Sequence, residues 1–237
     1  MSLQQEEQDR IWTHYQVQNT GSFDLSYPRL RYLAERCAPG TRVLNIGVGN
    51  GYLESLLVQR NVEVYSLDPS AESIRRLRQE LGMGQRAQQG YSQRMPFTPD
   101  YFDIVIMTEV LEHLSADILH TTLDEVRRVL KPGGVFTGTV PYREDLAANE
   151  VMCPQCQRVF HRWGHEQRFD SASLRTLLEE HGYSIERIYT RTFPDFRRGG
   201  VRPLMKAIVR YVLGRMGEPL VGPNLYFRAR LPRDGAA

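Results

Sequence analysis

The stretch 43–51, Val-Leu-Asn-Ile-Gly-Val-Gly-Asn-Gly, constrains this chain more than any other. Four residues suited to a buried parallel strand run into three glycines, and a helix is expected to open near Tyr52. Gly47, Gly49 and Gly51, with Val48 between the first two, let the backbone turn tightly and admit a ligand against bare main chain. A dinucleotide cradle of the G-x-G-x-x-G type would need glycine at position 52, where Tyr52 stands. The loop therefore suits a nucleoside without a pyrophosphate better.

The alternation this stretch begins continues downstream. Strands are expected at 41–46, 62–67, 86–90, 102–107 and 135–140, with helices at 51–59, 70–81 and 117–130 between them. The last of these helices is expected to close at the turn Lys131-Pro132-Gly133-Gly134. Asp170 suits an N-cap for a helix through Leu174, Leu177 and Leu178 that stops at Gly182. Segments 183–189 and 224–230 alternate apolar and polar residues and are expected as the last two strands, at an antiparallel edge. Upstream, Pro28 at a first helical position precedes Leu30, Leu33, Ala34 and Cys37 at helical spacing, so a helix should run to about Pro39-Gly40 with Cys37 in the core. Residues 4–17 are a further candidate helix, with Ile11, Trp12 and Tyr15 on one face. Seven strands alternating with helices at this pitch imply an α/β fold in three layers, its sheet mostly parallel with right-handed crossovers and an antiparallel last strand.

The 237 residues suffice for one such domain and are few for two. Apolar content of 41 % and charged content of 24 % suit an ordinary globular protein and argue against disorder. No run of about eighteen apolar residues suggests a transmembrane helix. The polar, acidic first ten residues do not resemble a secretory signal. Cys37, Cys153 and Cys156 do not make a disulfide framework, so the cytoplasm is the expected address.

Four elements then stand in one order: the glycine loop, an acidic residue closing strand two, Phe-Asp-Ile-Val-Ile with Glu-Val-Leu-Glu-His behind it, and Leu-Lys-Pro-Gly-Gly before strand five. In that order, over roughly residues 40–190, the chain resembles the class I S-adenosylmethionine-dependent methyltransferases. The resemblance implies a Rossmann-like fold and S-adenosylmethionine as cofactor. It implies that Gly47, Val48, Gly49 and Gly51 pass under the methionine part, and that Ser92 and Gln93 sit beside the adenine. Asp68, 21 residues after Gly47 and followed by Pro69, is placed to accept both ribose hydroxyls; the plain alternative is a turn aspartate before proline. Thr108, directly after strand four, completes the expected set together with Asn45. Asn45 stands where many relatives carry an acid, and Tyr91 where many carry Asp, departures that bear on cofactor affinity. One methyltransferase domain is expected over 1–237, with N-terminal helices in 1–40, a cofactor-binding core in 41–140, a Cys/His insertion in 141–169, a basic helical insertion in 191–223 and the last strand at 224–230.

A hydroxyl acceptor needs its proton removed, by a base or by a metal that lowers its pKa. Glu109, Glu112 and His113 form an E-x-x-E-H run at the carboxyl edge of strand four, where open α/β sheets place their chemistry. The run resembles the divalent-metal site of ubiquinone-biosynthesis O-methyltransferases and small-RNA 2′-O-methyltransferases, and His165 is the best match for the latter's completing histidine. Mg2+ or Mn2+ is then expected at Glu109, Glu112 and His113; without a metal, His113 is left as general base. Cys153 and Cys156, followed by His161 and His165, also have the spacing of a structural zinc knuckle. A reactive dithiol and an unliganded turn are the alternatives, and His165 cannot easily serve both sites.

Between positions 191 and 215 seven Arg and Lys residues face one acid, Asp195, although the whole chain carries only +2. Arg202, Lys206 and Arg210 share one helical face, and Leu204, Ile208 and Tyr211 or Val212 another. A membrane-surface helix over 202–215, a clamp on a phosphorylated or nucleic-acid acceptor, and a solvated cap on the sheet edge remain open. The expected activity is methylation of an oxygen on a saccharide or another small metabolite. Small-RNA 2′-O-methylation is an alternative, and a degenerate cofactor-binding protein is another, suggested by Asn45 and Tyr91.

Overall fold

A computed structural model describes residues 26–196, 201–216, 218 and 222–233. The candidate helix at 4–17, Arg197 and Arg198 lie outside the described residues. The central sheet is assembled from β1 (Arg42–Ile46), β2 (Glu63–Asp68), β3 (Ala87–Gln89), β4 (Phe102–Thr108), β5 (Leu130–Pro141), β8 (Ser184–Arg191) and β9 (Asn224–Arg230). A separate two-stranded ribbon pairs β6 (Glu150–Met152) with β7 (Val159–His161). The helices are α1 (Tyr27–Ala34), α2 (Tyr52–Gln59), α3 (Ala71–Glu80), α4 (Ala116–Val129), α5 (Ser171–Glu180) and α6 (Val201–Arg215).

Strand order is β3-β2-β1-β4-β5-β9-β8, and the first five strands pair in parallel. β9 runs antiparallel to both β5 and β8, the reversed last strand expected from the alternating pattern at 224–230. Chain order reverses between β1 and β4, which leaves a crevice at the carboxyl ends of the central strands. Successive residues of each strand point to opposite faces, so both faces carry a core. Leu44, Val105 and Phe136 pack under α4 and α5 through Leu123, Val126, Leu174 and Leu178. Val43, Val64 and Ile104 pack on the other side under α1, α2 and α3 through Leu33, Leu57, Ile74 and Leu77.

Local signals account for several boundaries. Asp170 caps α5 by accepting from the Ala172 and Ser173 amides, Ser173 returns the bond, and Gly182 follows at φ +80°. Pro28 opens α1, but that helix ends at Ala34 rather than near Pro39; Cys37 is nevertheless buried, its thiol donating to Leu33 O. The Lys131–Gly134 segment is not the turn that its proline and glycines suggest. It is the irregular start of β5, with Leu130 paired to Phe102. The amide of Gly133 donates to Leu231 O and the amide of Leu231 to Gly134 O, so strand bonding replaces a free turn. Among the described residues no helix is long and apolar enough to cross a membrane.

Candidate functional site

A pocket of about 190 Å³ opens where the sheet order reverses. Gly47, Val48, Gly49 and Asn50 line it after β1, Asp68 and Pro69 after β2, and Gly90, Tyr91, Ser92 and Gln93 after β3. Thr108, Glu109, Val110 and His113 line it after β4. Eight of the ten residues expected to bind cofactor therefore meet around one cavity; Asn45 and Gly51 do not. Ser26, Arg29 and Leu30 also line it. No local motif marks these three, because only the packing of α1 over the glycine loop brings them there.

The glycine loop is held by Asp68. The Val48 amide donates to Asp68 Oδ2 at 2.7 Å and the Ser70 amide to Oδ1 at 2.8 Å. A carboxylate has about four lone-pair positions, more than these two amides take up by themselves. Gly47 adopts φ +87°, and a Cβ there would lie 2.6 Å from Val110 Cγ2, so a side chain at this position is excluded on two counts. Gly51 caps α2 at φ +80° and acts on the helix rather than on the pocket.

Asn45 has a different task from the one expected of it. It is buried beneath the loop, where its Nδ2 donates to Glu54 Oε1 at 2.7 Å and to Gly47 O at 3.3 Å. Ser66 Oγ donates to the same Glu54 oxygen at 2.9 Å. Burial pushes the Glu54 carboxyl up to about 7, against these hydrogen bonds. Glu54 thus meets the underside of the glycine loop only through Asn45, which bonds both Glu54 Oε1 and Gly47 O, and neither residue lines the pocket.

The E-x-x-E-H run is split between two roles. Glu109, at φ +55°, turns the chain out of β4 and has both oxygens engaged. Thr139 Oγ1 donates to Oε1 at 2.8 Å, Asn224 Nδ2 reaches both oxygens at 3.0 Å, and Arg29 Nη1 lies 3.5 Å from Oε2. Glu109 consequently does not join the expected metal ligands. Glu112 is 1 % exposed, and neither of its carboxyl oxygens has a hydrogen-bond partner. Burial, then the Glu109 charge, raises its pKa well above the usual carboxyl value. The short 3₁₀ turn that carries it, Leu111–His113, is fixed by the Glu166 and Gln167 amides donating to Glu112 O at 2.7 and 3.0 Å.

His113 is buried, and burial followed by the charge of His165 lowers its pKa well below the usual imidazole value. Its ring meets that of His165 edge-on, centroids 4.4 Å apart, and its Nδ1 lies 3.3 Å from Gly164 O. Glu112, His113 and His165 offer ligand atoms that all lie within 4.8 Å of one another. Glu144, His161 and His165 form a second such group. His165 Nδ1 contacts Glu144 Oε2, and the His161 and His165 rings stack at 4.6 Å.

The ribbon β6–β7 separates the cysteines from these histidines. Its base is fixed where Glu150 pairs with His161, and its tip is the turn closed by the Cys153 amide donating to Arg158 O at 2.9 Å. Cys153 and Cys156 sit in that turn, and backbone amides of Cys156 and Gln155 lower the Cys153 pKa. His161 and His165 gather with Glu144 instead, so the four residues expected to form a zinc knuckle are not brought into one cluster.

A family model described as a methyltransferase domain matches residues 22–188, well over half of the chain. This chain belongs to the methyltransferase domain family. It is an S-adenosylmethionine-dependent enzyme of class I, with the seven-stranded sheet described above. An uncharacterized methyltransferase of Synechocystis sp. is 31 % identical over 152 residues, 63 % of this chain and 70 % of the relative. The mitochondrial ubiquinone biosynthesis O-methyltransferase of Mus musculus is 27 % identical over 170 residues, 66 % of this chain and 45 % of that protein. Among solved structures, the 1,6-didemethyltoxoflavin-N1-methyltransferase of Burkholderia thailandensis, with bound S-adenosylhomocysteine, superposes at a TM-score of 0.65 and 17 % identity. That match covers 98 % of this methyltransferase and 92 % of the other chain.

Proposed function

We propose that this methyltransferase transfers the methyl group of S-adenosylmethionine to a hydroxyl oxygen of a small acceptor bearing neighbouring hydroxyls, such as a saccharide. A divalent cation held by Glu112, His113 and His165 assists. Glu112 carries this reading: a buried carboxyl with two unbonded oxygens beside two imidazoles is a donor set lacking its acceptor. Carboxylate and imidazole together suit Mg2+, Mn2+ or Zn2+. Bound there, such a cation supplies a lowered pKa for a hydroxyl that it contacts.

The chain's own residues supply the rest. Asp68, which lines the pocket at the end of β2, would hold the ribose hydroxyls, while Ser92 and Gln93 would face the adenine and Gly47 to Gly49 underlie the methionine. His113 belongs both to the pocket lining and to the Glu112 group, so acceptor and methyl donor would meet at its ring. Holding them in line is the main service an enzyme gives to a displacement at carbon. Glu144 is a positioning residue in this scheme, because its carboxylate fixes the His165 ring through Nδ1. Similarity to an O-methyltransferase of ubiquinone biosynthesis supports oxygen as the acceptor atom.

The test is methyl transfer from labelled S-adenosylmethionine to a panel of monosaccharides and catechols, with products placed by mass spectrometry. EDTA should abolish turnover and Mg2+ or Mn2+ restore it. Full turnover after metal is stripped would overturn the cation and leave His113 as general base. A product methylated on nitrogen would overturn the acceptor class.

A further inference from the structure

Helix α6 turns the wrong side to the protein. Its buried residues are Ala207 and Gly214. Gly214 approaches the chain beyond β8 so closely that a Cβ there would lie 2.4 Å from Thr192 Cγ2. Thr192 Oγ1 donates to Arg210 O at 2.7 Å on the same side. The large apolar residues Val201, Leu204, Met205, Ile208, Val209 and Val212 are instead between 42 and 78 % exposed. Their spacing of three and one places them on one stripe of the helix, opposite its small-residue face. Arg202 and Lys206, one turn apart, border one edge of that stripe and are exposed, whereas Arg210, a further turn on, lies toward the anchored side. The helix is anchored at its far side, where the Arg191 guanidinium lies over the rings of Tyr32 and Tyr211 at 4.1 and 5.4 Å.

We infer that α6 is a docking surface for an anionic lipid interface. An exposed apolar stripe of this extent marks a contact surface, and the flanking charge selects among occupants. No carboxylate lies between Val201 and Met216. Two copies meeting through this stripe would bring Arg202 and Lys206 toward their own copies, and neither helix offers an acid to them. A nucleic acid would satisfy the cations and leave the apolar stripe in water. An anionic bilayer satisfies both, taking the stripe into its headgroup boundary while Arg202 and Lys206 meet phosphates. This assignment stands independently of the acceptor.

The test is sedimentation of the full chain with phosphatidylcholine vesicles, with and without phosphatidylglycerol. Binding is expected to vesicles containing phosphatidylglycerol and to weaken as salt is raised. Ile208→Ser with Val212→Ser should weaken binding about tenfold or more, and Arg202→Gln with Lys206→Gln should remove the preference for anionic lipid. Both variants change exposed side chains, so melting temperature and S-adenosylhomocysteine binding should stay as in the parent. Absence of vesicle binding by the folded parent overturns the inference. So does a solution dimer that the Ile208→Ser, Val212→Ser variant converts to monomer.

Discussion

Glu54 makes the stability of this methyltransferase respond to pH in the direction opposite to ordinary acid unfolding. Its carboxyl is buried under the glycine loop with a pKa pushed up to about 7 from the ordinary 4.5. Between those two values the folded chain binds more protons than the unfolded one, so stability must fall as pH rises. The contribution is fully present below about pH 4.5 and is lost as pH passes through about 7. At 1.36 kcal/mol per unit, the loss between pH 5 and pH 8 is about 2 to 3 kcal/mol. Glu54→Gln removes the charge, and its amide oxygen can still accept from Asn45 Nδ2 and Ser66 Oγ. Urea unfolding of both proteins at pH 5 and pH 8 measures the effect. The variant should gain on the parent by that amount as pH rises, and pH profiles that stay parallel would refute a strained, buried Glu54.

Other substitutions address the site more directly. Asp68→Ala should weaken S-adenosylhomocysteine binding by about 1.5 to 3 kcal/mol, roughly tenfold to more than a hundredfold by titration calorimetry, and unchanged affinity would reject its role. Glu144→Gln should weaken Mn2+ binding about tenfold to a hundredfold while leaving S-adenosylhomocysteine affinity intact, since it acts through His165. Equal Mn2+ affinity in parent and variant would remove Glu144 from the scheme. Cys153→Ser with Cys156→Ser should leave metal content unchanged, because the thiols lie at the ribbon tip away from the His161 and His165 cluster. Loss of one equivalent of zinc on elemental analysis would restore the four-ligand knuckle.

The parts of this enzyme that are legible in its sequence are those whose cause is local. Gly47 must turn at positive φ, Asp170 must cap a helix, and alternation at 224–230 must place one face inward; each needs only a few neighbours to declare itself. Asn45 is misread because its partner Glu54 sits nine residues along, on the next helix, and one sequence shows a position without its partner. Glu109 looks like a ligand until Asn224, 115 residues away, is seen to hold both of its oxygens. The spacing of Cys153, Cys156, His161 and His165 fits a zinc site on paper. A β-ribbon between them carries the thiols to one end and leaves the imidazoles at the other. For α6 the amphipathic pattern is plain in the sequence, but which face docks is decided by Gly214 against Thr192.

The chemistry proposed for this site turns on Glu112, His113 and His165 holding a cation beside a methyl donor that lies along Asp68. A crystal grown with S-adenosylhomocysteine and Mn2+, with diffraction recorded at a wavelength where manganese scatters anomalously, would reveal that cation or its absence. One anomalous peak bonded to those three side chains is expected, with the nucleoside's ribose hydroxyls on Asp68. Density for S-adenosylhomocysteine in the pocket with no peak at Glu112 would contradict it.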